Sequence, residues 1–242
     1  TQDRNGNPHI RVKGFVPEGL PPFLEGPVRL MKILGRDEAN SIARAVQASD
    51  LFDQALGMVK VNASLGSQPH EIGRARAFTP GWLENESIWL HMSFKYLLEL
   101  LKAGLYEEYF EALEKYLPAF MDPDTYGRSP LENSSFIVSS VHPDKAYHGR
   151  GFVARLSGST AEFISMWVLM TVGSQPFTWV KGDLALEFKP VLPGWLFKED
   201  SRFSFRFLGT CDVSVHNPDR KNTFDPGMAI KKIIMNSGGR TM

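Results

Sequence analysis

The chain carries a single cysteine, Cys211, in 242 residues. That excludes an intrachain disulfide framework and fits a reducing compartment, so a cytoplasmic protein is expected. Neither sign of charge is in excess: 27 Lys and Arg residues balance 27 Asp and Glu residues. The balance leaves no bulk electrostatic footprint for nucleic acid or for an anionic membrane. No uninterrupted apolar run approaches the length of a membrane span, and no signal-peptide core follows the N-terminus. Fixed-period repeats and low-complexity tracts are also missing. What is there is ordinary for a globular protein, with 43% hydrophobic and 22% charged residues. The length can bury a sizeable core, as one large domain or two small ones. The opening at Thr1, in a polar Asp3-Arg4-Asn5-Gly6-Asn7-Pro8 segment, reads as a cut edge with sequence upstream of it.

The period of the apolar residues changes near residue 176. Before it the pattern is helical. Over 85–103, Ile88, Trp89, Met92, Tyr96, Leu97, Leu100 and Leu101 recur at spacings of three and four. Segment 105–119 repeats the pattern beyond Gly104, predicting an antiparallel helical hairpin. Helices are also predicted over 37–56, broken around Ser49-Asp50, and over 160–172. Long irregular stretches, 57–83 and 120–156, connect them. After 176 the period is two: Leu184, Leu186 and Phe188, then Phe203, Phe205 and Phe207, then Cys211, Val213 and Val215, with a further run from Lys231 to Met235. This predicts an antiparallel sheet that packs Leu184, Leu186, Phe188, Phe203, Phe205 and Phe207 inward, with no helix over 183–208. The expected organisation is therefore a helical domain over 1–175 and a β domain over 176–242.

Two stretches carry chemistry. In Trp82-Leu83-Glu84-Asn85-Glu86-Ser87-Ile88-Trp89-Leu90-His91, a helix starting near Asn85 would put Glu84 and His91 about two turns apart on one face. A carboxylate and an amide suit sugar hydroxyls, and Trp82 or Trp89 could stack on a pyranose ring. A protonated histidine can donate to a phosphate oxygen. Each residue also has a plain alternative: Asn85 as a helix N-cap, His91 as a structural histidine, Trp89 as core. In the second stretch, Ser157-Gly158-Ser159-Thr160 runs into the 160–172 helix. Hydroxyls and backbone N–H groups at a helix start suit an anion, with Arg150 and Arg155 near enough in sequence to complete a cage. The plain alternative is an ordinary Ser/Thr cap with a permissive glycine.

The combination resembles the C-terminal half of the cellobiose and chitobiose phosphorylases. Glu84, Asn85, Ile88 and His91 match that family's E-N-x-x-I-x-x-H motif, and Leu156-Ser157-Gly158-Ser159 matches its L-T-G-T turn with serines for threonines. His142-Pro143-Asp144 and Lys189-Pro190-Val191-Leu192-Pro193-Gly194-Trp195 are similar to the same region of the family, so the resemblance spans roughly 75–220. It implies a mainly α fold: part of an (α/α)6 six-hairpin barrel, followed by a small antiparallel β-sheet domain. It also implies an inverting phosphorolysis. Inorganic phosphate, as co-substrate, would cleave a β-linked di- or oligosaccharide to a sugar 1-phosphate. His91, Ser157, Gly158 and Ser159 would hold phosphate, and Glu84, Asn85 and Trp89 would contact the sugar. No metal, organic cofactor, nucleic acid or membrane is implied.

The family's general acid, an aspartate in an upstream motif, has no counterpart in residues 1–70; Asp3, Asp37, Asp50 and Asp53 do not reproduce it. The expected partner is therefore the remaining N-terminal part of the same enzyme, and a homodimer is compatible with the sequence. The chain alone is expected to be inactive. Two other readings stay open: a glycoside hydrolase on the same barrel using two carboxylates, and a non-catalytic carbohydrate-binding protein.

Overall fold

The computed structural model describes residues 2–17, 19–153, 157–237 and 240–241. Six α-helices appear among them: α1 (Glu25–Met31), α2 (Arg36–Gln47), α3 (Leu90–Lys102), α4 (Tyr106–Tyr116), α5 (Pro123–Tyr126) and α6 (Ser157–Thr171). The eleven short strands are β1 (Phe52–Asp53), β2 (Met58–Val59), β3 (Ile88–Trp89), β4 (Phe136–Ile137), β5 (Gly151–Phe152), β6 (Phe177–Val180), β7 (Asp183–Leu186), β8 (Arg202–Phe207), β9 (Cys211–His216), β10 (Asn236–Ser237) and β11 (Arg240–Thr241). They form β1–β2, β3–β4–β5, β6–β7, β8–β9 and β10–β11, all antiparallel.

Helix α3 is the centre of the core. Its Leu90, Phe94, Tyr96, Leu97, Leu100 and Leu101 are all buried, so it is packed on most of its circumference. It ends before Gly104, and the Leu105 N–H caps Leu100 O at 3.0 Å as the chain reverses into α4. Helix α1 lies alongside α3 in the same direction, with Glu25 3.8 Å from Lys95 at one end and Lys32 3.9 Å from Glu99 at the other. Helix α6 packs along α3 as well. Near its C-terminal end the Tyr109 hydroxyl of α4 donates to Met170 Sδ at 3.2 Å. Since α4 runs antiparallel to α3, this places α6 parallel to α3. Burial pushes the Tyr96, Tyr109 and Tyr116 phenols well above their usual range.

The expected (α/α) barrel segment is not what forms. Among the described residues α3 and α4 make the predicted helical hairpin, and α1 and α2 pack as a shorter pair. The chain over 48–89 and 117–153 makes turns, short strands, 3-10 turns and the single-turn helix α5 where a barrel needs further paired helices. Helix and small antiparallel sheets are interleaved along the chain, and strand is not confined to its C-terminal end.

The helix expected over 85–103 starts late, at Leu90. Leu83 and Glu86 hold left-handed backbone, φ 50° and 57°, and Ile88 and Trp89 pair with β4, so neither stretch can be helical. Helix α2 stops at Gln47 and the chain turns at Ser49-Asp50 into β1.

Past residue 176 the period of two does give strands, but as separate hairpins. Leu184 and Leu186 do not pack inward; they are 58% and 49% exposed, while Phe177 of β6 stacks on Phe207 of β8. Phe188, Phe203, Phe205 and Phe207 are half-buried, mostly against one another. A 3-10 turn at Gly194–Leu196 interrupts 183–208, and Lys231–Met235 forms no strand. Residues 189–197 return to the helical core: the Val191 N–H donates to Met170 O at 2.8 Å, and Leu192 and Phe197 are buried there.

Candidate functional site

The three-stranded sheet positions the site. Trp89 is in register with Phe136, and Phe136 with Phe152; Ile88, Ile137 and Gly151 align likewise. Two antiparallel steps leave β3 and β5 running the same way. Strand β3 passes directly into α3, and β5 leads within a few residues to α6. Two strand spacings are about 9.5 Å, close to the 8–10 Å at which helices pack. The sheet therefore sets the N-termini of α3 and α6 side by side, with the positive ends of both helix dipoles together.

His91 is the second residue of α3 and Gly158 the second of α6. The imidazole lies flat on Gly158. A Cβ at that position would stand 2.5 Å from His91 Nδ1 and 2.6 Å from Cγ and Cε1. Only glycine lets the ring and the first turn of α6 come this close. Gly151 has a matching role in β5: a Cβ there would overlap the ring of buried Tyr126 and stand 2.8 Å from Ser134 Oγ. The Tyr126 hydroxyl donates to Glu132 O at 2.9 Å and holds the ring there.

Charges of both signs surround His91. Glu162, one turn beyond Gly158 on α6, places Oε1 3.6 Å from His91 Nε2. Glu25 of α1 accepts from Arg29 Nε and NH2 at 3.0 and 2.7 Å and lies near Lys95. The Arg29 hydrogen bonds hold the Glu25 carboxyl below its usual range against a smaller opposing effect of burial. The charges of Arg29, Lys95 and His91 add to the lowering.

Ser159 is buried, and its Oγ accepts from Asn133 Nδ2 at 3.3 Å. The Ser-Gly-Ser segment is thus the first turn of α6 itself. The Ser157 side chain, Arg155 and Leu156 lie outside the described residues. Arg150 lies over Gly127 at the C-terminal end of α5.

The expected sugar residues are placed differently. Glu84 and His91 do not share a helix face; β3 lies between them. Residues 81–85 form a turn in which the Gly81 N–H donates to Asn85 O at 2.8 Å and the Asn85 N–H to Trp82 O at 3.1 Å. Asn85 is buried, and its Nδ2 donates to Phe78 O at 2.7 Å; it braces this turn and caps no helix. Glu84 is partly exposed and ion-paired with Arg74. Trp89 is half-buried and stacks on Phe136, centroids 6.0 Å apart and planes within 3°, so that face of its ring is already covered.

Behind the turn, the buried Lys60–Glu86 pair closes at 3.0 Å, and Asn62 ties Glu86 N–H and Glu84 O at 2.6 and 2.9 Å. Asp53 is likewise engaged. It accepts from the Ser140 N–H and hydroxyl at 2.6 and 2.7 Å and from two N–H groups of its own loop, fixing residue 140 to β1.

Two cavities lie elsewhere. One of about 170 Å³ is lined by Leu56, Met58, Met121, Tyr126 and Ile137 among others, and an open one of about 610 Å³ by Lys198, Glu199, Asp200 and Arg220. His91 and Gly158 line neither. Among the described residues no group of three or more His, Cys, Asp or Glu is placed to hold a metal ion, and no helix is long and apolar enough to cross a membrane. In comparisons with known proteins, no family model and no curated protein matches the chain.

Proposed function

We propose that this chain is the phosphate-holding, C-terminal part of a cytoplasmic inverting glycoside phosphorylase acting on a β-linked di- or oligosaccharide. The observation that supports it best is the contact of His91 with Gly158, where two parallel helices bring their N-termini together. Such an end stabilises an anion through backbone N–H groups and the combined dipoles. His91, Gly158, Ser157 and Ser159 would hold phosphate. A phosphate oxygen attacks the anomeric carbon with inversion while the glycosidic C–O bond breaks. A carboxylic acid gives its proton to the leaving oxygen, and the product is a sugar 1-phosphate. Phosphate is itself the nucleophile, so no protein base is required. Glu84, partly exposed, would face the sugar, with Asn85 and Trp89 acting by bracing its turn. The acid belongs to a part of the enzyme beyond this chain.

The test is a panel of β-linked disaccharides assayed with and without inorganic phosphate. Sugar 1-phosphate should appear only when this chain is joined to the acid-bearing part, and His91→Ala should abolish its phosphate dependence. Release of free sugar in phosphate-free buffer would replace this reading with a hydrolase, which the two carboxylates flanking His91, Glu25 and Glu162, favour. Binding without turnover would leave a carbohydrate-binding protein.

A further inference from the structure

We infer that Glu162 is the positioning residue for His91: from the second turn of α6 it takes the Nε2 edge of the imidazole and holds the ring with its face on the first turn of the same helix, which leaves Nδ1 for an anion. The inference rests on the reading of this end of α3 and α6 as a phosphate site. Gly158 and Glu162 are four residues apart and so lie one above the other on α6. His91 spans both. Its face covers the Gly158 Cβ position, 2.5 Å from Nδ1 and 2.6 Å from Cγ and Cε1, and its Nε2 is 3.6 Å from Glu162 Oε1. That separation is an ion-pair contact when the ring is protonated, a few tenths of an ångström outside hydrogen-bond range. Glu25, the other carboxylate near His91, is already held by Arg29 and Lys95, whereas the ion-pair partner of Glu162 is His91.

The ring thus meets one helix at its face and at its Nε2 edge. A carboxylate on Nε2 and an anion on Nδ1 together require both ring nitrogens to donate, which is the imidazolium form. Glu162 would therefore help an anion bind although its own charge repels one. This opposition of signs makes the role testable.

The experiment uses the 242-residue chain labelled with ¹⁵N-histidine, with inorganic phosphate as probe. Without phosphate, the ring nitrogens of His91 should report a proton fixed on Nε2 in the wild type and a tautomer mixture in Glu162→Ala. An unchanged tautomer pattern in Glu162→Ala would overturn the inference. With phosphate, Glu162→Gln should weaken binding about tenfold or more, as loss of a charge-assisted contact does. Tighter binding in Glu162→Gln would show that simple repulsion dominates and would equally overturn it. If the tautomer responds to Glu162→Ala but phosphate moves no signal of His91 or Gly158 in the wild type, the positioning role stands and the phosphate reading falls. Glu162 is only 19% exposed, so Glu162→Gln, which keeps the side-chain volume, separates loss of the charge from the loss of packing that accompanies Glu162→Ala.

Discussion

Placing a methyl group on Gly158 sets two effects against each other. Alanine favours a helix over glycine by about 0.8–1 kcal/mol. The methyl would also stand 2.5 Å from the imidazole, which must leave. His91 is 36% exposed, so its ring can swing into solvent at little cost. Gly158→Ala should therefore melt at the wild-type temperature or slightly above it, while the His91 ring resonances shift. A melting point several degrees lower would mean that the ring is held more firmly than its exposure suggests.

The carboxylates give a second outcome at this scale. Glu25 is held below its ordinary 4.5 by Arg29. Asp122 is held below 3.8 by the Thr125 hydroxyl and the Thr125 and Asp124 N–H groups. For a lowered pKa, the stabilisation is complete above the unfolded value and is lost as pH falls through the folded one. NMR titration should give midpoints below 4.5 and 3.8, and Asp122→Asn should keep the cap but lose this part of the acid sensitivity. A midpoint at or above either value would remove the corresponding interaction. Residue types alone marked Gly158 as a permissive glycine at an anion-binding helix start and did not mark it as the residue on which the His91 ring packs. They did not mark Glu162, because its spacing from Gly158 matters only once α3 lies alongside α6.

Among the elements, the sheet β3–β4–β5 is the one whose loss the site cannot tolerate. Gly151→Ala forces a methyl into the buried ring of Tyr126. Overpacking of this kind costs about 1–3 kcal/mol. Denaturant unfolding should show that loss, and the His91 resonances should broaden, because β5 leads directly to α6. Wild-type stability would mean that Tyr126 has space to move.

The α3–α4 hairpin was legible because its 3.6-residue period extends over four turns. The sheet was not, because a two-residue strand has no period to read. The apolar run Ile88-Trp89-Leu90 also joins smoothly onto α3, so strand and helix merge into one pattern. The start of α3 was misplaced for a related reason. Glu84 and Asn85 are residue types that begin helices, but the left-handed backbone of Leu83 and Glu86 is imposed by the buried Lys60, Asn62 and Glu86 network. That network draws on residues more than twenty positions upstream.

Across the whole molecule, burial is uneven. Residues 9–17, 19 and 20 have no regular secondary structure, and Ile10, Phe15, Val16 and Leu20 are between 82% and 94% exposed. The packed structure begins where the Leu24 N–H bonds Val61 O at 2.9 Å. Brief trypsin treatment should cut at Arg11 and Lys13 and leave a product that melts like the intact chain; a fall in melting temperature would show that this arm stabilises the core.

At the other end, a continuous row of rings runs from Phe163 and Trp167 of α6 through Phe203, Phe205, Phe188 and Phe207 to Phe177. Alternation in the sequence was enough to place β7, β8 and β9, but it missed β6 and predicted a run over 231–235 that forms no strand. It could not reveal whether a second layer covers them, because that depends on elements remote in the chain. The barrel expectation went wrong at this same scale: helical periods count helices, and nothing in them fixes how many neighbours each helix has.

Strand pairing, rather than chain connectivity, holds His91 against Gly158, and this bears on how the protein tolerates changes of length. Ser129 and Leu131 lie in an exposed reversal between α5 and β4, just before Glu132 and Asn133, which hold Tyr126 and Ser159. The reversal could lengthen, shorten or be cut, and β4 would still set the distance between β3 and β5. Insertions there would alter what surrounds the site without altering its geometry. New loops could be tried at that point over evolutionary time, or in the laboratory, while the histidine and the glycine keep their places.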